Sequence, residues 1–266
     1  MSARWRPAPV LTASALLHAG AAVAVALRPG SWPWALGSVV ANHAVLCAGG
    51  LLPRSQLLGP NWVRLPADAI QRGEIALTID DGPDPEVTPH LLDLLDEFGI
   101  RVTFFCIGMK LQAQAPLARE ICRRGHRIEN HSQHHHWYFS LLGPARMARE
   151  IREAQDGIAQ ITGQPPRFFR APAGLRNPFL DYVLAGLDLT LASWTRRGFD
   201  TLNGEVARVH RMLARNLSAG DILLLHDGRA AHTRRGVPVI LETLPLLVQD
   251  IRRARLQPVT LAQSAA

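Results

Sequence analysis

Lysine is almost missing. Of 29 basic side chains only Lys110 is a lysine, and the arginines are scattered rather than gathered in a stripe interleaved with aromatics. A net charge of +7 spread in this way is no nucleic-acid footprint, and membrane phosphates account for it as well. Nucleic acid is therefore not an expected partner. Cysteine is as scarce. Cys47, Cys106 and Cys122 give no disulfide framework and no CxxC, which excludes a thiolate metal centre. Cys106 lies in an apolar run and Cys122 in a helical pattern, so both read as buried thiols. No GxGxxG or Walker-type loop follows any apolar run, which leaves a nucleotide-binding fold unsupported.

Charge is missing from the N-terminal fifth of the chain. Residues 9–27 carry no acid or base except His18, and residues 32–52 none except His43. Each run is long enough to cross a hydrocarbon core of about 30 Å as a helix. Arg28-Pro29-Gly30-Ser31 joins them, and their many Ala and Gly residues let two helices approach closely. The domain reading is a membrane anchor over 1–53, a polar linker over 54–73 and a catalytic domain over 74–266. A cleaved signal peptide is the alternative for the first run, and a second run of similar length argues against simple secretion. Arg4, Arg6, Arg54 and Arg64 flank the pair, with only Arg28 between them. Trp32 and Trp34 fall at one interface, Trp5 and Trp62 near the other. This bias predicts both termini on the cytoplasmic side of a bacterial-type inner membrane, with the periplasmic side as the alternative. Membrane lipids are thus an expected partner, and His18, Asn42 and His43 are expected to make contacts between the two helices.

From residue 74 onward, apolar runs alternate with amphipathic helical patterns. The runs at 75–79, 102–107, 126–130, 167–170, 189–194, 221–226 and 258–261 read as seven strands. Helices are expected over 88–98, 116–124, 144–161, 177–186, 202–217 and 237–255, with Thr88 capping the first and Gly99 ending it. Such alternation predicts a parallel α/β fold, either an open doubly wound sheet or an incomplete barrel. The polar residues favour the barrel. Asp80-Asp81, His131, Arg170, Trp194 and His226 all stand at strand carboxyl ends, which a (β/α) barrel gathers on one face.

Those residues suggest a chemistry. His131 and His135 are four apart, a spacing that puts both imidazoles on one side of a helical turn. One carboxylate of the Asp80-Asp81 pair would complete a His-His-Asp set with positions left open. Such a site polarises a carbonyl and lowers the pKa of water. The neighbours His134 and His136 are expected to point elsewhere. Amide hydrolysis also needs a base for the water and an acid for the leaving nitrogen. Asp80 suits the base and His226 the acid. Arg170 is placed to pair with Asp80, orient it and keep its pKa low.

Asp80-Asp81-Gly82-Pro83, His131-Ser132-x-x-His135, Arg170-Ala171-Pro172-Ala173-Gly174 and Leu224-Leu225-His226 follow one another in an order that resembles the polysaccharide deacetylase family, the NodB-homology domain or carbohydrate esterase family 4. The resemblance covers about residues 75–261. It implies a distorted (β/α)7 TIM-like barrel, here preceded by a helical hairpin. It implies Asp80 as base, Asp81, His131 and His135 as ligands of a divalent metal, and His226 as acid. The metal is usually zinc in the family, and such a site also accepts Co2+, Ni2+ or Mn2+. Arg170 would orient the base, Leu224 would line the acyl pocket, and a backbone N–H near Ala173 would serve the oxyanion. Trp194 would form a pocket wall and Asp200 would partner His226. Ile79 and Ala173 stand where the family usually has aromatics. The expected activity is removal of an N-acyl group, N-acetyl above all, from an amino sugar in a glycan or a lipid-linked saccharide. Arg196 and Arg197 are expected at the barrel mouth, reading an anionic group. The alternatives are another C–N hydrolase on the same scaffold (a deformylase or cyclic-amide hydrolase) and an inactive glycan-binding protein.

Overall fold

The computed structural model describes residues 5–265, so Arg4 lies outside the described residues. Two long helices come first, α1 (Pro9–Leu27) and α2 (Trp32–Leu51), joined by a short 3-10 turn at Pro29–Ser31. They pack side by side and leave most of their surface bare. Among their described residues only Ser14, Gly49 and Gly50 are buried. By length and composition both are able to cross a bilayer. The polar residues expected between them do meet: Asn42 Nδ2 donates to Ser14 Oγ at 2.8 Å, and the His18 and His43 rings lie 5.2 Å apart.

The segment expected as a linker is packed. It holds a short helix, α3 (Ala67–Gln71), and Leu58, Leu65 and Ala69 are buried in the domain. Eight strands follow: β1 (Glu74–Asp80), β2 (Thr103–Cys106), β3 (Arg127–Asn130), β4 (Phe168–Phe169), β5 (Thr190–Leu191), β6 (Arg196–Arg197), β7 (Ile222–His226) and β8 (Gln257–Val259). Helices α4 (Val87–Phe98), α5 (Gly108–Ala113), α6 (Ala115–Arg123), α7 (Pro144–Thr162), α8 (Leu180–Gly186), α9 (Val206–Ala214), α10 (Val239–Arg253) and α11 (Leu261–Ser264) lie between or after them. The strand order is β5-β4-β3-β2-β1-β7-β6, all parallel, with β8 pairing the start of β1. Strands β5 and β6 are the two ends of this order, so the sheet is a distorted, incompletely closed (β/α) barrel.

The one strand beyond the seven expected, β6, holds only two residues and carries no apolar signature, which is why hydrophobic patterning passes over it. The first helix of the domain also differs from expectation. It starts at Val87, and its N-cap position, Glu86, makes no side-chain cap. Thr88 points inward instead and hydrogen-bonds Asp227. Gly99 ends the helix in the left-handed conformation, as its sequence position suggested.

Alternation along β1 sorts the side chains. Ile75, Leu77 and Ile79 face the helices and join the large outer core with Leu223 and Leu225. Ala76 faces the barrel interior with Phe105, Ile222 and Leu224. Thr78 and Asp80 share the parity of Ala76, and one guanidinium nitrogen of Arg170 reaches both. Strand register then sets His226 beside Asp80.

Candidate active site

Asp80 ends β1 and Asp81 turns away from it. Asp81 has φ of 73°, a left-handed backbone that reverses which way its side chain points. The turn is held from three sides. Lys110 Nζ donates to the Asp81 carbonyl at 2.8 Å, the Ile107 N–H donates to Gly82 O at 3.0 Å, and Gly228 packs so close that a Cβ there would collide with the Asp81 backbone. A Cβ on Gly82 would likewise collide with the Asp227 carboxylate. Asp227 is buried and receives Thr88 Oγ1 at 2.5 Å and the Gly228 N–H at 2.8 Å. Burial pushes its carboxyl up to about 6, against those two donors. Hydrophobic patterning carries no signal of this support, because Asp227 lies in no motif.

His131 and His135 are brought together by an irregular turn, not by the helical turn that their spacing suggested. Ser132 and His135 both have positive φ, and the turn they make brings the His131 and His135 ring centroids to 4.7 Å. His131 Nδ1 donates to the Arg170 carbonyl at 2.8 Å, which leaves Nε2 facing Asp81 with its lone pair free. His131 Nε2 lies 3.4 Å from Asp81 Oδ1, and His135 Nε2 lies 3.3 Å from the same oxygen. Donors about 2.0–2.1 Å from one tetrahedral ion stand about 3.3–3.4 Å apart, so the set fits a small divalent cation. Protonation fits as well. Burial and the neighbouring His131 lower the His135 pKa to about 4, leaving a neutral ring. Burial raises the Asp81 carboxyl, but the imidazoles of His131 and His135 that face it, with His226 nearby, outweigh burial and hold it below the usual carboxylate range.

Arg170 is wholly buried behind Asp80. Its guanidinium spans Asp80 Oδ1 at 2.6 Å, Thr78 Oγ1 at 2.8 Å, Ser193 O at 2.8 Å and Ala192 O at 3.1 Å, and it lies 4.0 Å over the Phe105 ring. With every side of the fork occupied, Asp80 is fixed by one oxygen. On the opposite wall, Asp200 accepts the His226 N–H at 2.7 Å and faces Nδ1 at 2.9 Å. Burial lowers the His226 pKa, yet the bond and charge of Asp200, with Asp80 and Asp81 nearby, raise it on balance.

These groups open into one cavity of about 290 Å³, lined by Asp80, Asp81, His131, His135, Ala173, Trp194, Arg197, Leu224 and His226 among others. Ala173 has φ of 54°, and its N–H has no partner among the hydrogen bonds of the described residues. Arg170 and Asp200 lie behind the wall as supports. Arg196 is the exception to the sequence expectation. Its side chain leaves the mouth, pairs with Asp221 at 2.7 Å and donates to the carbonyls of Arg215 and Asn216. Alternation along β6 sends only one of two adjacent arginines into the cavity. Arg197 is that one, 5.6 Å over Trp194, with a buried Nε that lacks a partner. Arg229, Thr201 and Leu202 also line the cavity and were not foreseen, because they sit in loops without a motif.

A family model described as polysaccharide deacetylase matches residues 68–192. A peptidoglycan-N-acetylglucosamine deacetylase of Bacillus cereus is 35% identical over 156 residues, covering 58% of this chain and 72% of that protein. A family 4 carbohydrate esterase of Streptomyces lividans, solved with acetate, superposes with a TM-score of 0.64 at 31% identity, over 70% of this chain and 91% of the other. A family 4 pseudoenzyme of Bacillus anthracis superposes at 0.69 with 18% identity, over 77% of this chain and 69% of the other, a likeness of fold alone.

Proposed function

This chain belongs to the polysaccharide deacetylase family, and on that footing we propose that it is a membrane-anchored, metal-dependent hydrolase that removes an N-acyl group, N-acetyl above all, from an amino sugar. One observation carries the reading. Asp80 and His226 are register partners on adjacent strands and open into the same cavity as the three-donor set. Fold alone does not separate an enzyme from a pseudoenzyme, but a base and an acid facing across a metal-ligand set serve no purpose in simple binding.

Asp81, His131 and His135 would hold the cation, with zinc the first choice and Co2+, Ni2+ or Mn2+ acceptable; when bound it polarises the acyl carbonyl and makes water more acidic. Asp80, held by Arg170, takes a proton from the attacking water. The free N–H of Ala173 donates to the carbonyl oxygen as charge develops there. His226 keeps Nδ1–H on Asp200 and presents Nε2–H to the amide nitrogen, so the C–N bond breaks to a free amine and a carboxylate. Leu224 packs against the acyl methyl. The test is acetate release from N-acetylated glycans by the metal-supplemented protein, with Asp80→Asn as control. Wild type is expected to release acetate and the variant about 10²–10⁴-fold less. Release only from cyclic amides points to the other C–N hydrolase, and glycan binding without release to an inactive binder.

The helical pair over α1 and α2 supports membrane anchoring, and Arg6 and Arg54 at its base against Arg28 at its tip support a domain on the cytoplasmic side. A C-terminal alkaline phosphatase fusion is expected to be inactive. An active one places the domain in the periplasm.

A further inference from the structure

The foot of the hairpin is bolted to the wall of the catalytic cavity. Pro53 O accepts Ser193 Oγ at 2.6 Å, Gly50 O accepts the Arg176 N–H at 3.1 Å, and Arg54 donates to Thr195 O at 3.1 Å. Gly174 and Trp194 both line the cavity, and a Cβ on Gly174 would strike both Trp194 and Pro53. The other end of the hairpin is also held to the domain: Trp5 Nε1 donates to Asp181 at 2.7 Å and packs edge-on to Tyr182. If α1 and α2 cross a bilayer, its near surface meets the domain at the cavity wall and not on a remote face.

Exposed apolar side chains gather near the same cavity. Beyond residue 53 the three most exposed large ones are Trp137 at 84%, Leu202 at 82% and Leu141 at 78%. Leu202 lines the cavity, and Trp137 lies two residues after His135, which also lines it. Asn177 Nδ2 binds the carbonyls of Ser140 and Leu142, tying the Trp137–Leu141 loop to the segment that docks the hairpin. Bare apolar groups gathered beside a membrane anchor have a lipid surface as their natural cover. Inside the cavity, the half-buried Arg197 keeps an unpartnered Nε and Arg229 is exposed, so two guanidinium groups line one site.

We propose that the cavity mouth rests on the membrane surface through Trp137, Leu141 and Leu202, and that the substrate is an amino sugar joined through phosphate to a lipid, with Arg197 taking the phosphate. This rests on the anchored deacylase reading. The test uses the full chain in lipid nanodiscs, supplied with metal, and three probes: N-acetylglucosaminyl phosphate on a polyprenyl chain, a neutral alkyl N-acetylglucosaminide, and the soluble N-acetylglucosamine tetramer. Catalytic efficiency is expected to be at least about tenfold higher on the polyprenyl phosphate than on the tetramer. Arg197→Gln should bring the polyprenyl phosphate down to the neutral glycolipid. Trp137→Ser with Leu141→Ser should reduce turnover of both lipid probes and spare the tetramer. In brominated lipids, the emission that wild type has and Trp137→Phe lacks should be quenched. Equal efficiency on the tetramer and the lipid phosphate, or unquenched Trp137, overturns the proposal and leaves deacylation standing. No release from any probe overturns deacylation itself.

Discussion

Four histidines within six residues divide into two clusters that look alike in outline. His131 and His135 meet Asp81; His134 and His136 meet Glu150. In each trio the donor atoms lie within 4.8 Å of one another. Their surroundings differ. The His131 and His135 side chains are 3% and 14% exposed, against 40% and 34% for His134 and His136. His131 is aimed from behind by the Arg170 carbonyl, and Asp81 Oδ1 faces two ring nitrogens at distances too long for good hydrogen bonds. Glu150, by contrast, is already engaged. One oxygen takes His134 Nδ1 at 2.8 Å and the other the His134 N–H at 3.1 Å, while His136 stacks on Tyr138. The lesson is that three donors in range do not make a metal centre. Burial and fixed aim leave the first trio with lone pairs turned toward one another, as a cation site requires, whereas the second has satisfied itself as an anchor of the loop on α7.

Variants in the two clusters should separate sharply. The largest effect is expected for His131→Ala. Loss of an outer hydrogen-bond partner alone costs about 10–100-fold in metal affinity, and loss of a ligand should cost more. Metal content after dialysis and acetate release should fall together; a variant that keeps both would end the distinction. Next comes Asp200→Asn, which leaves the metal trio intact. Turnover should fall by about tenfold or more. The pH profile sharpens the point. Asp200 raises the His226 pKa, so the acid form persists to higher pH in the wild type, and the alkaline limb should move to lower pH in the variant. An unmoved limb would mean that His226 is not the acid.

Adjacent arginines offer a smaller contrast. Arg197→Gln should alter KM with little change in melting temperature. Arg196→Gln should do the reverse, since it breaks the ion pair to the buried Asp221. The smallest effect belongs to the second histidine cluster. His134→Ala with His136→Ala should leave one metal per chain and turnover within about twofold of wild type.

The path from sequence to this site was uneven. The parallel barrel was legible because β1 and β7 are long, apolar and bounded by turns. Asp80, Asp81, His131 and His226 were legible because each sits at a strand end. Four-residue spacing paired His131 with His135 correctly, though for the wrong local reason, since a turn with positive φ brings them together. Strand β6 escaped notice because two arginines carry no hydrophobic period, and for the same reason nothing showed that Arg196 points away. Thr88 read as a helix cap because local pattern holds no information about Asp227, 139 residues further on. The packing of residues 54–73 also depends on contacts distant in sequence, among them Leu65 and Ala69 in the barrel interior.

The most direct test is anomalous scattering from zinc-soaked crystals of the full chain. A single peak is expected about 2 Å from Asp81, His131 and His135, with none at Glu150. A peak confined to His134, His136 and Glu150, with the Asp81 trio bare, would contradict the assignment on which the chemistry depends.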